Sequence, residues 1–128
     1  MTDPKGHLLI VDDNKVNRLL LSRNIELLGH RASLAENGRV AMEMLNSHSF
    51  DLLLLDIEMP EMNGFEVLEA IKSDNELREL PVIVTSSVEG LDNVVRCIEL
   101  GAEDYLPKPV NKTLLSARIS SCLEKKRL

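Results

Sequence analysis

Apolar positions along this chain follow two periods in alternation. Leu8–Val11 is an unbroken apolar run, too short for a helix and stopped by Asp12 and Asp13, which suits a strand buried on both faces. The period then lengthens. Asn14 can cap a helix over about residues 15–28, where Val16, Leu19, Leu20 and Leu27 share one face and Gly29 closes the end. Arg31–Glu36 alternates weakly and predicts a more exposed strand, and after Asn37 the residues Val40, Ala41, Met44 and Leu45 form a helical stripe. Leu52–Leu55, halted by Asp56, predicts another buried strand. A loop with Pro60 and Gly64 leads into a helix carrying Phe65, Leu68 and Ile71, and Pro81–Val84 predicts a strand that ends in Thr85, Ser86 and Ser87. Leu91, Val94, Val95 and Ile98 mark the next helix, finished by Gly101. Tyr105 and Leu106 form a short strand broken by Pro107-Lys108-Pro109, and Asn111 opens a last helix with Leu115, Ile119 and Cys122 facing inward.

Five such alternations predict an α/β domain: a parallel sheet with right-handed crossovers and helices on both faces. Ligands of open parallel sheets bind beyond the carboxyl ends of the strands. A length of 128 residues suits one domain, and 44% hydrophobic with 28% charged residues excludes disordered and low-complexity classes. The net charge of -6 argues against a domain that grips nucleic acid or anionic lipid by bulk charge. No apolar run is long enough to span a bilayer, and residues 1–7 read as a short lead-in rather than a secretory leader. Cys97 and Cys122 form no CxxC pair and read as small buried hydrophobes of a reducing compartment, which predicts a cytoplasmic protein.

The strand ends carry the chemistry. Asp12 and Asp13 follow the first strand, Asp56 the third, Ser86 the fourth and Lys108 the fifth, so all five should gather at one edge of one sheet. Clustered carboxylates repel unless a cation resolves them. Oxygen-only ligands suit Mg2+, with Mn2+ as a substitute, because Mg2+ keeps several waters and commonly bridges carboxylates to a phosphate. Lys108, stiffened by prolines on either side, offers a point charge to a phosphate oxygen, and Ser86 a hydroxyl. No glycine-rich nucleotide cradle is visible. An Asp at a strand end beside a metal can itself attack phosphorus and become an aspartyl phosphate.

Over nearly its whole length the chain resembles the receiver domain of two-component response regulators, through Val11-Asp12-Asp13, through Leu55-Asp56-Ile57-Glu58-Met59-Pro60 with Gly64, and through Lys108-Pro109. Ser86 and Lys108 lie 30 and 52 residues after Asp56, as in that family. The resemblance implies a doubly wound, flavodoxin-like sheet in the order 2-1-3-4-5 over residues 8–124. It further implies that Asp56 accepts a phosphoryl group from the phosphohistidine of a sensor kinase or histidine phosphotransfer protein. Asp12, Asp13, Asp56 and the backbone carbonyl of Glu58 would hold Mg2+, Asp12 through a water. Lys108 would pair with the phosphoryl group across a cis Lys108–Pro109 bond. A phosphoryl group would then draw the Ser86 hydroxyl inward, Tyr105 would change rotamer, and the face over residues 90–125 would be altered.

Asn63 stands where the family most often has Asp before Gly64; lying outside the metal shell, it should cost little. Glu58 and Val88 would flank the path by which phosphate arrives. Gly101–Leu106 with Arg118 looks like receivers that dimerise through residues 90–125, and 125–128 could begin a linker to an output domain or end as a surface helix. Two other classes stand beside the receiver. One is a receiver-like interaction module that works without phosphorylation. The other is a phosphatase of the haloacid dehalogenase type, disfavoured because a Glu, Glu58, stands where those need a second Asp. On the receiver reading the chain is a regulatory phosphoacceptor rather than an enzyme proper.

Overall fold

The computed structural model describes residues 6–60, 62–87 and 91–127, so residues 1–5 of the lead-in, Val88 and Leu128 lie outside the described residues. The elements run β1 (His7–Val11), α1 (Lys15–Leu27), β2 (Arg31–Ala35), α2 (Gly38–Ser47) and β3 (Leu52–Asp56). They continue with α3 (Gly64–Lys72), β4 (Val82–Ser86), α4 (Leu91–Glu99), β5 (Asp104–Pro107) and α5 (Lys112–Arg127). All neighbouring strands pair in parallel in the order β2-β1-β3-β4-β5. This is the doubly wound topology expected from the alternation and the resemblance.

Strand residues alternate sides, and the two cores follow that parity. Leu9, Val11, Leu53, Leu55, Val82 and Val84 pack with Ala41, Leu45, Val67, Leu68, Ile71 and Cys97 of α2, α3 and α4. Leu8, Ile10, Leu52, Leu54 and Ile83 pack on the other face with Leu21, Ile25, Leu115, Ile119 and Cys122 of α1 and α5. Because β1, β3 and β4 bury both faces, their sequences read as continuous apolar runs. Asn14, Asn37 and Asn111 cap α1, α2 and α5 as expected, their side chains accepting the backbone N–H of Asn17, Val40 and Leu114 at 3.0, 2.8 and 3.0 Å. Gly29 ends α1 with φ 94°, a conformation that a Cβ would strain. Both cysteines are buried, as expected.

The inward face of α1 departs from the pattern. Val16, Leu19, Leu20 and Leu27, which share a stripe, are 64%, 53%, 56% and 75% exposed, while Leu21 and Ile25 are the helix's buried residues. Apolar side chains surround most of this helix, so periodicity alone leaves two candidate faces, and the one packed on the sheet is the narrower. A milder version holds in α4, where Cys97 is buried and Val95 and Ile98 face solvent.

Ile25→Ala should cost roughly 2–4 kcal/mol by leaving a cavity, whereas Leu20→Ala and Leu27→Ala should each change stability by less than about 1 kcal/mol. Urea unfolding of the three variants checks the assignment of faces.

Candidate functional site

The carboxyl ends of β1, β3 and β5 deliver Asp12, Asp56 and Lys108 to one crevice. Asp12 and Asp56 are fully shielded from solvent, an expensive setting for carboxylates. The Lys108 ammonium compensates both, at 3.2 Å from Asp12 Oδ2 and 3.1 Å from Asp56 Oδ2. Backbone donors hold the other oxygens: Asp12 Oδ1 accepts the Asn14 N–H at 2.8 Å and Asp56 Oδ1 the Glu58 N–H at 2.9 Å. The β1–α1 turn is further clamped by Arg18, whose guanidinium donates to the Asp12 carbonyl at 2.8 Å. Gly64 lets the loop after β3 fold back, since a Cβ there would stand 2.4 Å from Ile57 Cα and 2.7 Å from the Asp56 carbonyl oxygen. Asn63 caps α3 in a reciprocal box with Glu66, so Asn does at this position the capping work an Asp would do.

Burial pushes the Asp56 carboxyl up to about 6, against the pull of the Glu58 N–H and of Lys108. Burial disfavours the Lys108 charge too, but the hydrogen bond and charge of Asp56, joined by Asp12, override it and raise the ammonium above its ordinary value. The exposed Asp13 completes a trio of carboxylates that place oxygens within 4.8 Å of one another. One ammonium against three acids leaves net negative charge. The Oδ2 atoms of Asp12 and Asp56 accept no hydrogen bond besides facing that ammonium. Open, buried carboxylate oxygens with no sulfur or imidazole donor among them fit a hard divalent cation such as Mg2+.

Ser86 and Tyr105 stand one step away. Ser86 is buried at the end of β4, and its carbonyl accepts the Lys108 N–H at 2.9 Å. The Glu58 carboxylate accepts both the N–H and the hydroxyl of Ser87 at 2.7 Å. Burial would raise Glu58, but these hydrogen bonds and the Lys108 charge outweigh it and hold the carboxyl below its ordinary value. Tyr105 pairs with Val84 in the sheet and packs half-buried against the α2–α4 core. The Lys108–Pro109 peptide is cis. Two participants escape a reading of motifs: Arg18, which looks like any surface arginine of a helix, and Ser87, whose bond to Glu58 crosses 29 residues of sequence.

Beside the crevice runs a groove of about 510 Å³ between α1 and the segment after β5, lined by Leu20, Leu27, Lys108, Pro109, Val110 and Lys112 among others. Of the exposed stripe of α1, Leu20 and Leu27 belong to this lining. Among the described residues no helix is long and apolar enough to cross a membrane.

The family model for the response regulator receiver domain matches residues 8–120. A probable transcriptional regulator of Cyanidium caldarium is 39% identical over 93% of this chain, which spans 47% of that protein. A two-component response regulator of Oryza sativa subsp. indica is 37% identical over 89% of this chain and 88% of its own length. The receiver domain of a signal transduction histidine kinase from Syntrophus aciditrophicus superposes with a TM-score of 0.87 at 32% identity, covering 94% of this chain and 91% of that one.

Asp56→Asn and Lys108→Met should move stability in opposite directions without divalent cations. Removing the Asp56 charge relieves a buried carboxylate whose folded pKa, about 6, lies above its unfolded 3.8. The native state then binds more protons than the unfolded one between those values, so the wild type loses stability as pH rises through that window. Asp56→Asn should therefore be the more stable protein by roughly 1–3 kcal/mol above pH 6, the gain vanishing below about pH 4. Lys108→Met leaves two buried acids unpaired and should cost about 3 kcal/mol at neutral pH. Thermal melts across pH give both signs.

Proposed function

The chain belongs to the response regulator receiver family of two-component signalling, whose members are regulatory phosphoacceptors that generally bind Mg2+, and from that membership we propose that Asp56 is its phosphoacceptor. The observation that carries the assignment is the buried Asp56 carboxylate, fixed at one oxygen by the Glu58 N–H and paired at the other with Lys108. An Asp56 oxygen attacks phosphorus as the bond from phosphorus to the donor breaks, and the leaving electron pair goes to the donor's imidazole nitrogen, or to the acetate oxygen when acetyl phosphate is the donor. Asp12, Asp13, Asp56 and the Glu58 carbonyl are the residues to hold Mg2+, with Mn2+ as a substitute. Bound there, the ion would supply the positive charge that three acids and a phosphoryl group require. Lys108, already pointing at Asp56, moves its charge to the transferred phosphoryl oxygens.

The donor is a phosphohistidine on a sensor kinase or a histidine phosphotransfer protein. The groove beside Lys108 supports this, since Leu20 and Leu27 of α1 offer it exposed apolar surface next to Asp12 and Lys108, on which a partner carrying the imidazole can dock. Downstream, Ser86 swings to the phosphoryl group and Tyr105 follows, changing the face over residues 90–125. On that face Val95, Ile98 and Leu114 are 44%, 49% and 42% exposed, an apolar surface for an output domain, a separate target or a second copy of the chain. Arg118 there already pairs with Asp104 at 3.2 Å within the chain, so a dimer contact through it would trade one ion pair for another. Neither nucleic acid nor membrane is a direct partner on this reading, and the setting is cytoplasmic.

Incubation with Mg2+ and acetyl phosphate should raise the intact mass by one phosphoryl group. Chelating the cation or substituting Asp56→Asn should abolish the gain. Steady release of inorganic phosphate without any adduct would instead mark a phosphatase, and no reaction at all an interaction module.

A further inference from the structure

Glu58 has a side chain that the phosphoacceptor chemistry leaves without a role, and its position is unusual. Its backbone N–H donates to Asp56, while its carboxylate turns to the opposite wall and takes the Ser87 N–H and hydroxyl at 2.7 Å each, directly beside Ser86. The loop after β3 is thereby tied to the end of β4 by a charged acceptor spanning the mouth of the crevice. Hydrogen bonds to a carboxylate are shorter and stronger than neutral ones. The residue next to the hydroxyl that must turn toward a phosphoryl group on Asp56 is thus already engaged by an anion of the protein's own.

We propose that the Glu58 carboxylate is a latch on the switch segment: it holds Ser87, and through it the neighbouring Ser86, in the unphosphorylated arrangement and has to be displaced before Ser86 can turn to Asp56. This rests on the phosphoacceptor reading and adds a regulatory residue to it. The geometry supplies the release as well. A phosphoryl group brings roughly −1.5 to −2 of charge to Asp56, whose own backbone contact to residue 58 keeps the Glu58 carboxylate close, so like-charge repulsion acts on the latch as Ser86 gains a competing acceptor. The Ser86 carbonyl accepts the Lys108 N–H, so the freed segment is coupled to the ammonium that moves with the phosphoryl group. Glu58 is a positioning residue that raises the threshold for switching, because binding energy at Asp56 is diverted into breaking its contacts.

Beryllofluoride, a mimic of the phosphoryl group, gives an equilibrium test at saturating Mg2+, followed by the backbone amide resonance of residue 87. Glu58→Ala and Ser87→Ala should each lower the midpoint roughly three- to tenfold. The double variant should go no lower than Glu58→Ala alone, because the hydroxyl bond that Ser87→Ala removes is already lost with the carboxylate. A wild type that shows no saturable response overturns the phosphoacceptor reading itself. A wild type that responds, with Ser87→Ala unshifted or with the two effects simply adding, overturns the latch and leaves Glu58 as a repelling charge at the mouth.

Discussion

The Lys108 ammonium lies within ion-pair distance of two buried carboxylates, and with Asp13 it must answer three acids at once. A fold selected for stability alone would place apolar residues there, since buried ion pairs are seldom better than a packed hydrocarbon. The rest of the domain can be read as the apparatus that keeps this arrangement in place. Strands β1 and β3 bury leucine on both faces, so their ends cannot drift apart. Arg18, Asn14 and the Glu58 N–H satisfy the backbone and carboxylate atoms that burial would otherwise leave open. What remains is specific: two Oδ2 atoms that face only the Lys108 ammonium, and a surplus of negative charge that a hard cation would offset.

The fold was largely legible in the chain because both of its periods are strong. Runs such as Leu52–Leu55 cannot be amphipathic strands, and the acids that stop them fall at the strand ends. The same rule placed Asp12, Asp56 and Lys108 together before any contact was known. Where legibility failed, competing apolar patterns were the cause. On α1 the stripe of Val16, Leu19, Leu20 and Leu27 is more extensive than the buried pair Leu21 and Ile25, so composition points at the solvent face. The excess is informative in its own right, for it lies beside the groove that opens on Lys108. Long-range polar contacts were invisible for another reason. The Glu58–Ser87 bond depends on how two loops face each other, and no periodicity encodes that.

Sheet register gives the site a direction of response. Thr85 pairs with Asp56 and Ser86 with Pro107, so the end of β4 lies between the acceptor and the residue preceding Lys108. On the proposed switch a change at Ser86 would pass to β5, where Tyr105 pairs with Val84 and packs against the core, without any part of the sheet having to unfold. Switching of this kind would exchange a few hydrogen bonds at loop ends and leave both hydrophobic cores intact.

The claim on which everything else stands is that one carboxyl, that of Asp56, carries the phosphoryl group. Acyl phosphates, unlike carboxylates, are reduced by borohydride, which turns a phosphorylated aspartate into homoserine that mass spectrometry can locate. After exposure to Mg2+ and acetyl phosphate, the account predicts homoserine at position 56 and at no other aspartate. Homoserine at position 12 or 13, or a phosphate that survives borohydride unreduced, would contradict it.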